Sequence, residues 1–229
     1  MTYKVILADP PWNFQTRSPK GLGRSAQAHY DCMSMEELEA LAPQIMELAD
    51  PESCAMCMWV TDPLLPQALS LIKTFGFTYK TVLFTWVKTS TAGNAFPVNL
   101  ITCKVSYPPV AADGKSAFHM GTGYYTRANP EMCLLATRGK RAPKTQDRGV
   151  RQLLVAPRGQ HSQKPAEARR RIERLFSGPY YELFARSTAP GWSCDGNQVG
   201  LLDNGKVDTR RWPSAGPGVG TATCSQSTE

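Results

Sequence analysis

Val5-Ile6-Leu7-Ala8-Asp9-Pro10-Pro11-Trp12 decides how the chain is read. The unbroken aliphatic run suits a strand buried on both faces of a parallel sheet, where polar and apolar residues need not alternate. Pro10 forces Asp9 to be extended, and two prolines end any ladder. A carboxylate therefore stands at the carboxyl end of a central strand, which is where open α/β sheets bind ligands. A bent, rigid backbone carbonyl and an indole ring follow at once. This set is suited to holding a flat heterocycle by an exocyclic amino group while the ring stacks on Trp12. Such an amine is a poor nucleophile because its lone pair is delocalised into the ring. Two acceptors, the Asp9 carboxylate and the Pro10 carbonyl, would draw the nitrogen toward a tetrahedral shape and stabilise the charge that grows as it attacks. The alternative is that the four residues form only a turn after a strand.

Further along the chain, strands and helices alternate. A strand over 4–8 is followed by a polar loop over 13–33 containing Gly21 and Gly23. Ser34 and Glu37 make a capping-box pattern ahead of Leu38, Leu41, Ile45 and Leu48, and Pro43 is expected to kink or split that helix. Residues 54–60 read as a second buried strand. Asp62-Pro63 is expected to open a helix that Gly76 closes. Strands follow over 79–87, 131–137 and 152–155. A helix runs from Pro165 to Phe176 with Ala166, Ala168, Ile172 and Leu175 inward, and Tyr180 to Phe184 is read as the last strand of the core. The alternation predicts an α/β fold, a mostly parallel sheet with helices on both faces. Residues 89–120 lack periodicity and are read as a target-facing insertion within one domain spanning 1–202. From 203 to 229 the chain is rich in Gly, Pro, Ser and Thr and reads as a flexible tail.

The 229 residues suffice for one such domain. No apolar run is long enough to span a membrane, and no secretory pattern opens the chain, so a cytoplasmic location is expected. Of the seven cysteines, Cys54, Cys57 and Cys133 sit in apolar runs and read as buried, reduced thiols. Cys54-x-x-Cys57 lacks a second pair and a histidine at ligand spacing, so no metal is expected. The formal net charge is +7. Arg138, Lys140, Arg141 and Lys144 cluster after a strand, with Arg148 and Arg151 beyond, and Arg17, Lys20 and Arg24 follow Trp12. Such basic loops suit a polyanion, against the plainer reading of solvated loops. Arg169, Arg170 and Arg171 fall in a helix and read at least in part as its solvated face. Gly121-x-Gly123 is too short to cradle a phosphate.

Taken together, these blocks resemble the MT-A family of adenine-N6 methyltransferases. Asp9-Pro10-Pro11-Trp12 is similar to the family signature, and Tyr30-Asp31-Cys32-Met33 to its first active-site loop. Gly121 to Arg127, then Glu131 and the strand to Gly139, resemble its central block. His161-Ser162-Gln163-Lys164-Pro165 is similar to a Ser-x-Lys-Pro segment. Glu182-Leu183-Phe184-Ala185-Arg186, Gly191-Trp192 and Gly196-Asn197-Gln198 resemble its cofactor-binding end. The likeness covers residues 3 to 200 in the family's order and points to the bacterial and phage branch. It implies a Rossmann-like, S-adenosylmethionine-dependent methyltransferase with permuted motif order, the catalytic strand preceding the cofactor strand.

The resemblance assigns Asp9, Pro10, Pro11 and Trp12 to catalysis. Asp9, Lys164, Glu182, Phe184, Arg186, Asn197 and Gln198 fall to the donor; Trp12, Asn13, Tyr30 and Tyr124 are expected at the nucleic acid, although Asn13 departs from relatives, and Arg138 and Lys140 join them as part of the basic cluster. The plainer reading of Lys164 is a helix-start lysine in solvent, and Tyr124 and Tyr125 are as well suited to packing as to a pocket. Ser187-Thr188-Ala189-Pro190 departs from relatives with His-Asn contacts to the ribose, and an acidic residue used upstream for the donor's adenine has no counterpart. The expected reaction is methyl transfer to the adenine 6-amino group, with DNA favoured over RNA. The alternatives are an RNA enzyme, a cytosine-amino or glutamine-amide target, or a non-catalytic partner subunit. A homodimer or partner subunit stays open.

Overall fold

The computed structural model describes residues 1–13, 32–89, 98–99, 104–105, 118–121, 123–159 and 163–196. Outside these lie Arg17, Lys20, Arg24, Tyr30, Asn197 and Gln198, most of the 13–33 loop and of the 89–120 insertion, and the 203–229 tail.

Nine strands are described: β1 (Val5–Ala8), β2 (Cys54–Val60), β3 (Thr78–Thr89), β4 (Val98–Asn99), β5 (Lys104–Val105), β6 (Glu131–Arg138), β7 (Leu153–Pro157), β8 (Tyr180–Leu183) and β9 (Trp192–Asp195). Strands β4 and β5 form a separate two-stranded ribbon, and the other seven form one sheet in the order β7-β3-β6-β2-β1-β8-β9. Within it β6 alone runs antiparallel to its neighbours β2 and β3. Four α-helices flank it: α1 (Met35–Glu39), α2 (Ala42–Leu48), α3 (Leu65–Thr74) and α4 (Ala166–Leu175).

The aliphatic run of β1 is buried on both faces, as its lack of alternation requires. Ile6, Ala8, Met56 and Met58 pack with Leu38, Ile45 and Leu71 of α1–α3. Val5, Leu7, Cys57 and Trp59 pack on the other face with Ala168 and Ile172 of α4. Fully burying each large apolar side chain contributes about 1.5–3 kcal/mol. Helices thus cover both faces. Cys54 and Cys57 are divided between these two cores and cannot share one ion. The Ser34–Glu37 capping box forms, and Pro43 separates α1 from α2 at the first turn of the second helix.

Four features correct the sequence expectations, while a single antiparallel strand, β6, accords with a mostly parallel sheet. Strand β9 follows β8 in the sheet, so Tyr180 to Phe184 is not the last strand; its four residues offer only Trp192 and Cys194 as apolar signal. The antiparallel direction of β6 leaves no mark in its burial pattern. Asp62-Pro63 lies in a short 3-10 turn, and α3 starts at Leu65 with Pro66 in its first turn. Ala166, at the very start of α4, faces solvent rather than the core. Trp12 is a core residue, as set out below.

The connection leaving β1 runs toward β2, and the one leaving β8 runs toward β9 on the other side. Between β1 and β8 the strand order therefore reverses, and the crevice above that point is the favoured ligand site of an open α/β sheet.

Candidate active site

Strand periodicity builds the site. Side chains alternate between faces, so Asp9 emerges from β1 on the side of Leu7, toward α4. The same count puts Glu182 beside Leu7 on β8, Trp59 beside Cys57, Lys88 beyond Phe84 and Trp86, and Glu131 ahead of Cys133. All five stand at the same end of the sheet. Lys164 enters from the segment that leads into α4.

These groups form a chain of alternating charge. Lys164 Nζ donates to Asp9 Oδ2 at 2.8 Å and pairs with Glu131 Oε1 at 3.0 Å, while Lys88 Nζ lies 2.9 Å from Glu131 Oε2. The side chains of Asp9, Lys164 and Glu131 are 23%, 14% and 10% exposed. Beneath them is an aromatic floor. Lys164 Nζ sits 5.7 Å from the Trp59 ring and Lys88 Nζ 5.1 Å from the Trp86 ring, and the two rings meet edge to face. The Asn129 carboxamide bonds both backbone groups of Lys88, at 3.0 and 2.8 Å, and ties the approach to β6 against the end of β3.

Burial raises the Asp9 pKa, and Lys164 opposes the shift without cancelling it. Burial also acts upward on Glu131, but Lys164 and Lys88 outweigh it and hold that carboxyl below its usual range. Burial would deprotonate Lys164, yet Asp9 and Glu131 raise its pKa instead, so it stays cationic.

Beside Lys164 opens a cleft lined by Asp9, Trp59, Lys164, Arg169, Glu182, Phe184 and Arg186, among others. Arg169 grips Glu182 with a fork, Nε to Oε2 at 2.6 Å and Nη2 to Oε1 at 2.8 Å, and Nη2 also donates to Ser187 Oγ at 3.1 Å. Burial raises the Glu182 pKa, and Arg169 opposes the rise. Phe184 turns the chain away from β8 with φ +63°, a left-handed conformation unusual for a bulky residue. Gly196 permits the close approach here: a Cβ would sit 2.5 Å from Ala185 O and 2.7 Å from Ala185 N.

The structure brings Asp9, Lys164, Glu182, Phe184 and Arg186 of the sequence-predicted set to one cleft. It separates others. Trp12 is 7% exposed, packs in the core with α1–α3, and donates its indole N–H to Trp59 O at 3.1 Å. Its ring fastens the Pro-Pro turn to β2 and offers no open stacking face. Pro10 O already accepts from Trp12 N at 2.8 Å, and Pro11 O accepts from Met33 N at 2.9 Å. Arg138 and Lys140 lie at the far end of the sheet, because β6 runs antiparallel and Arg138 pairs with Cys54, about 20 Å along the strand from Met132. Arg138 caps Met46 O and Lys140 pairs with Glu52, so neither shares the Asp9 cleft. Asn13, Tyr124 and Tyr125 are exposed.

Sequence reasoning left Lys88, Glu131 and Arg169 out of the site. Two of them carried a readable signal. Phe84-x-Trp86-x-Lys88 and Glu131-x-Cys133 each continue an inward-facing series with a charge at the strand end. Arg169 had only its spacing of three from Ile172, which the arginine run obscured. Arg170 of that run pairs with Glu167 on the helix surface, as expected, whereas Arg171 is largely buried and also donates to Arg151 O and Leu153 O at 2.8 Å.

A cleft at the switch point of a Rossmann-like sheet, with charged couples built around its carboxylates, is the ligand site of an α/β enzyme. The chain belongs to the MT-A70 family, whose model matches residues 3–198, and it is an S-adenosylmethionine-dependent methyltransferase. It is also similar to the Type II methyltransferase M.MunI of a Mycoplasma, at 29% identity over 91% of this chain and 85% of that protein.

Proposed function

We propose that this chain methylates the 6-amino group of adenine in DNA, with Asp9 as the acceptor that orients and activates the amine. The observation that carries the reading is the position of Asp9. It stands at the mouth of the cleft, partly desolvated, with Oδ2 held by Lys164.

S-adenosylmethionine supplies an electrophilic methyl group on a sulfonium. The residues present fit it: the cleft offers acids for an ammonium, cations for a carboxylate, and Phe184 for an apolar face. Lys164, Glu182, Phe184 and Arg186 would hold it, joined by Asn197 and Gln198 beyond the described residues. The remaining work falls to the chain itself. With Oδ2 on Lys164, Asp9 Oδ1 is the oxygen that would accept an N–H of the target amine. Pro10 O would accept the second through the lone pair that its bond from Trp12 leaves unused. Both acceptors are fixed before the amine arrives, so they stabilise the charge on the attacking nitrogen without reorganising. As the new C–N bond forms and the methyl–sulfur bond breaks, the amine becomes cationic. Its surplus proton passes to Asp9, whose raised pKa suits it to take a proton, and then to solvent.

DNA is favoured over RNA by the resemblance to the bacterial and phage branch and by the likeness to a bacterial relative that carries a Type II methyltransferase name. The buried thiols Cys54, Cys57 and Cys133 suit a reducing cytoplasm. No helix among the described residues is long and apolar enough to cross a membrane.

The test is incubation of the purified chain with labelled donor and matched DNA and RNA oligonucleotides, followed by nucleoside analysis. Label in N6-methyladenine from DNA is the expected result. Label in RNA alone would reassign the substrate, and label in neither would favour a non-catalytic subunit.

A further inference from the structure

We propose that Arg169 is a positioning residue for the donor end of the cleft. It keeps the Glu182 carboxylate charged and aimed, so that Glu182 takes the α-ammonium of the donor's amino-acid end. This rests on the donor reading above and adds to it the role of a helix arginine that no motif of the chain covers.

The geometry separates Arg169 from its neighbours in the run. Arg170 closes on Glu167 at the exposed face of the helix, and Arg171 bonds Glu167 and the backbone carbonyls of Arg151 and Leu153, away from the cleft. Arg169 lies on the stripe shared with Ile172 and Phe176, three and seven residues on, so it faces the sheet. There it meets Glu182 through a two-pronged fork at 2.6 and 2.8 Å, steadied from the other side by Ser187.

A fork of this kind fixes the plane of the carboxylate as well as its position. It uses one acceptor site on each oxygen. An ionised carboxylate has about four, so capacity remains toward the cleft.

The charges around Glu182 show why it needs a dedicated cation. Asp9 on β1 faces the same cleft and repels it. Lys164 is engaged by Asp9 and Glu131. Arg186 stands on the loop that follows β8. On β9, Asp195 pairs with Leu183 in register and so faces the opposite side of the sheet. Without Arg169, a buried carboxylate beside another carboxylate takes up a proton, and a neutral acid no longer attracts an ammonium.

Calorimetry on the full chain tests this with two probes. S-adenosylhomocysteine carries the amino-acid end, and 5′-methylthioadenosine lacks it. Arg169→Gln should weaken the first about tenfold or more and leave the second within about twofold. The lost affinity should partly return as pH rises and Glu182 ionises, whereas the wild type stays flat. Arg169→Lys should restore part of it at neutral pH. In a Glu182→Gln background, Arg169→Gln should cost nothing further.

Equal loss of both probes, or an undiminished loss in the Glu182→Gln background, would overturn the role of Arg169 and leave the donor reading intact. If Arg169→Gln does not fold, Arg169→Lys and Glu182→Gln carry the same comparison. Loss of affinity for both probes in those variants gives the same refutation. A wild-type chain that binds neither probe overturns the donor reading and this inference with it.

Discussion

Lys164→Met removes the cation that, among the described residues, touches both Asp9 and Glu131. Methionine preserves the apolar stem against Trp59, so the change isolates the charge. Glu131 keeps Lys88 at 2.9 Å, and the deficit therefore falls mainly on Asp9. Removing one partner of a buried ion pair costs about 3–5 kcal/mol; solvent reaching the 23% exposed Asp9 brings the expectation to about 2–3 kcal/mol. For a chain of this size that lowers the melting temperature by about 4–12 °C. The pH dependence carries a sign. Without Lys164 the folded pKa of Asp9, already raised by burial, climbs further above its unfolded value. The penalty is then present above that folded pKa and is relieved as pH falls through it. Thermal unfolding followed by circular dichroism at pH 8 and pH 5.5 should show the larger deficit at pH 8. A melting temperature at pH 8 within about 2 °C of wild type, or a deficit that grows on acidification, would refute the reasoning.

Other consequences are open to direct measurement. The acid limb of the turnover profile should lie above the range of an ordinary carboxylate, because Asp9 accepts an N–H only when ionised and burial raises its pKa; a limb near pH 4 would contradict this. Trp12→Ala should cost about 3–5 kcal/mol of stability, since it empties a core site and cuts the bond to Trp59 O. Denaturant unfolding checks it, and an unchanged midpoint would restore the indole to a surface role. Burial pushes the Cys54 thiol up to about 12, and those of Cys57 and Cys133 also rise. Alkylation at pH 8 read by peptide mass spectrometry should therefore spare all three in the folded chain and modify them after denaturation.

The strand that carries Asp9 was legible because an unalternating aliphatic run followed by two prolines has few other meanings. The capping box at Ser34 and the break at Pro43 were legible because their chemistry is local. The direction of β6 was not, since a buried strand reads alike both ways. That one ambiguity displaced Arg138 and Lys140, which the cluster after the strand seemed to bring to the site. Trp12 was misread because a tryptophan beside a ligand-binding turn serves equally as platform or anchor, and only its packing against α1–α3 separates the two. Strand β9 was too short to announce itself. The ion chain was half legible: parity along β3 and β6 delivers Lys88 and Glu131 to the right end and face, but not their convergence on Lys164. Arg169 needed the tertiary structure, because spacing alone does not say that its fork meets Glu182 while Arg171 reaches the backbone at β7.

The central claim is that the Asp9 carboxylate is the acceptor that activates the target amine. Single-turnover formation of N6-methyladenine by Asp9→Asn, beside wild type and with S-adenosylhomocysteine affinity and melting temperature measured on the same samples, tests it most directly. A fall of at least about a hundredfold in the methyl-transfer rate with the fold preserved is the predicted result. A variant that folds, binds and still turns over at more than about a tenth of the wild-type rate would contradict it.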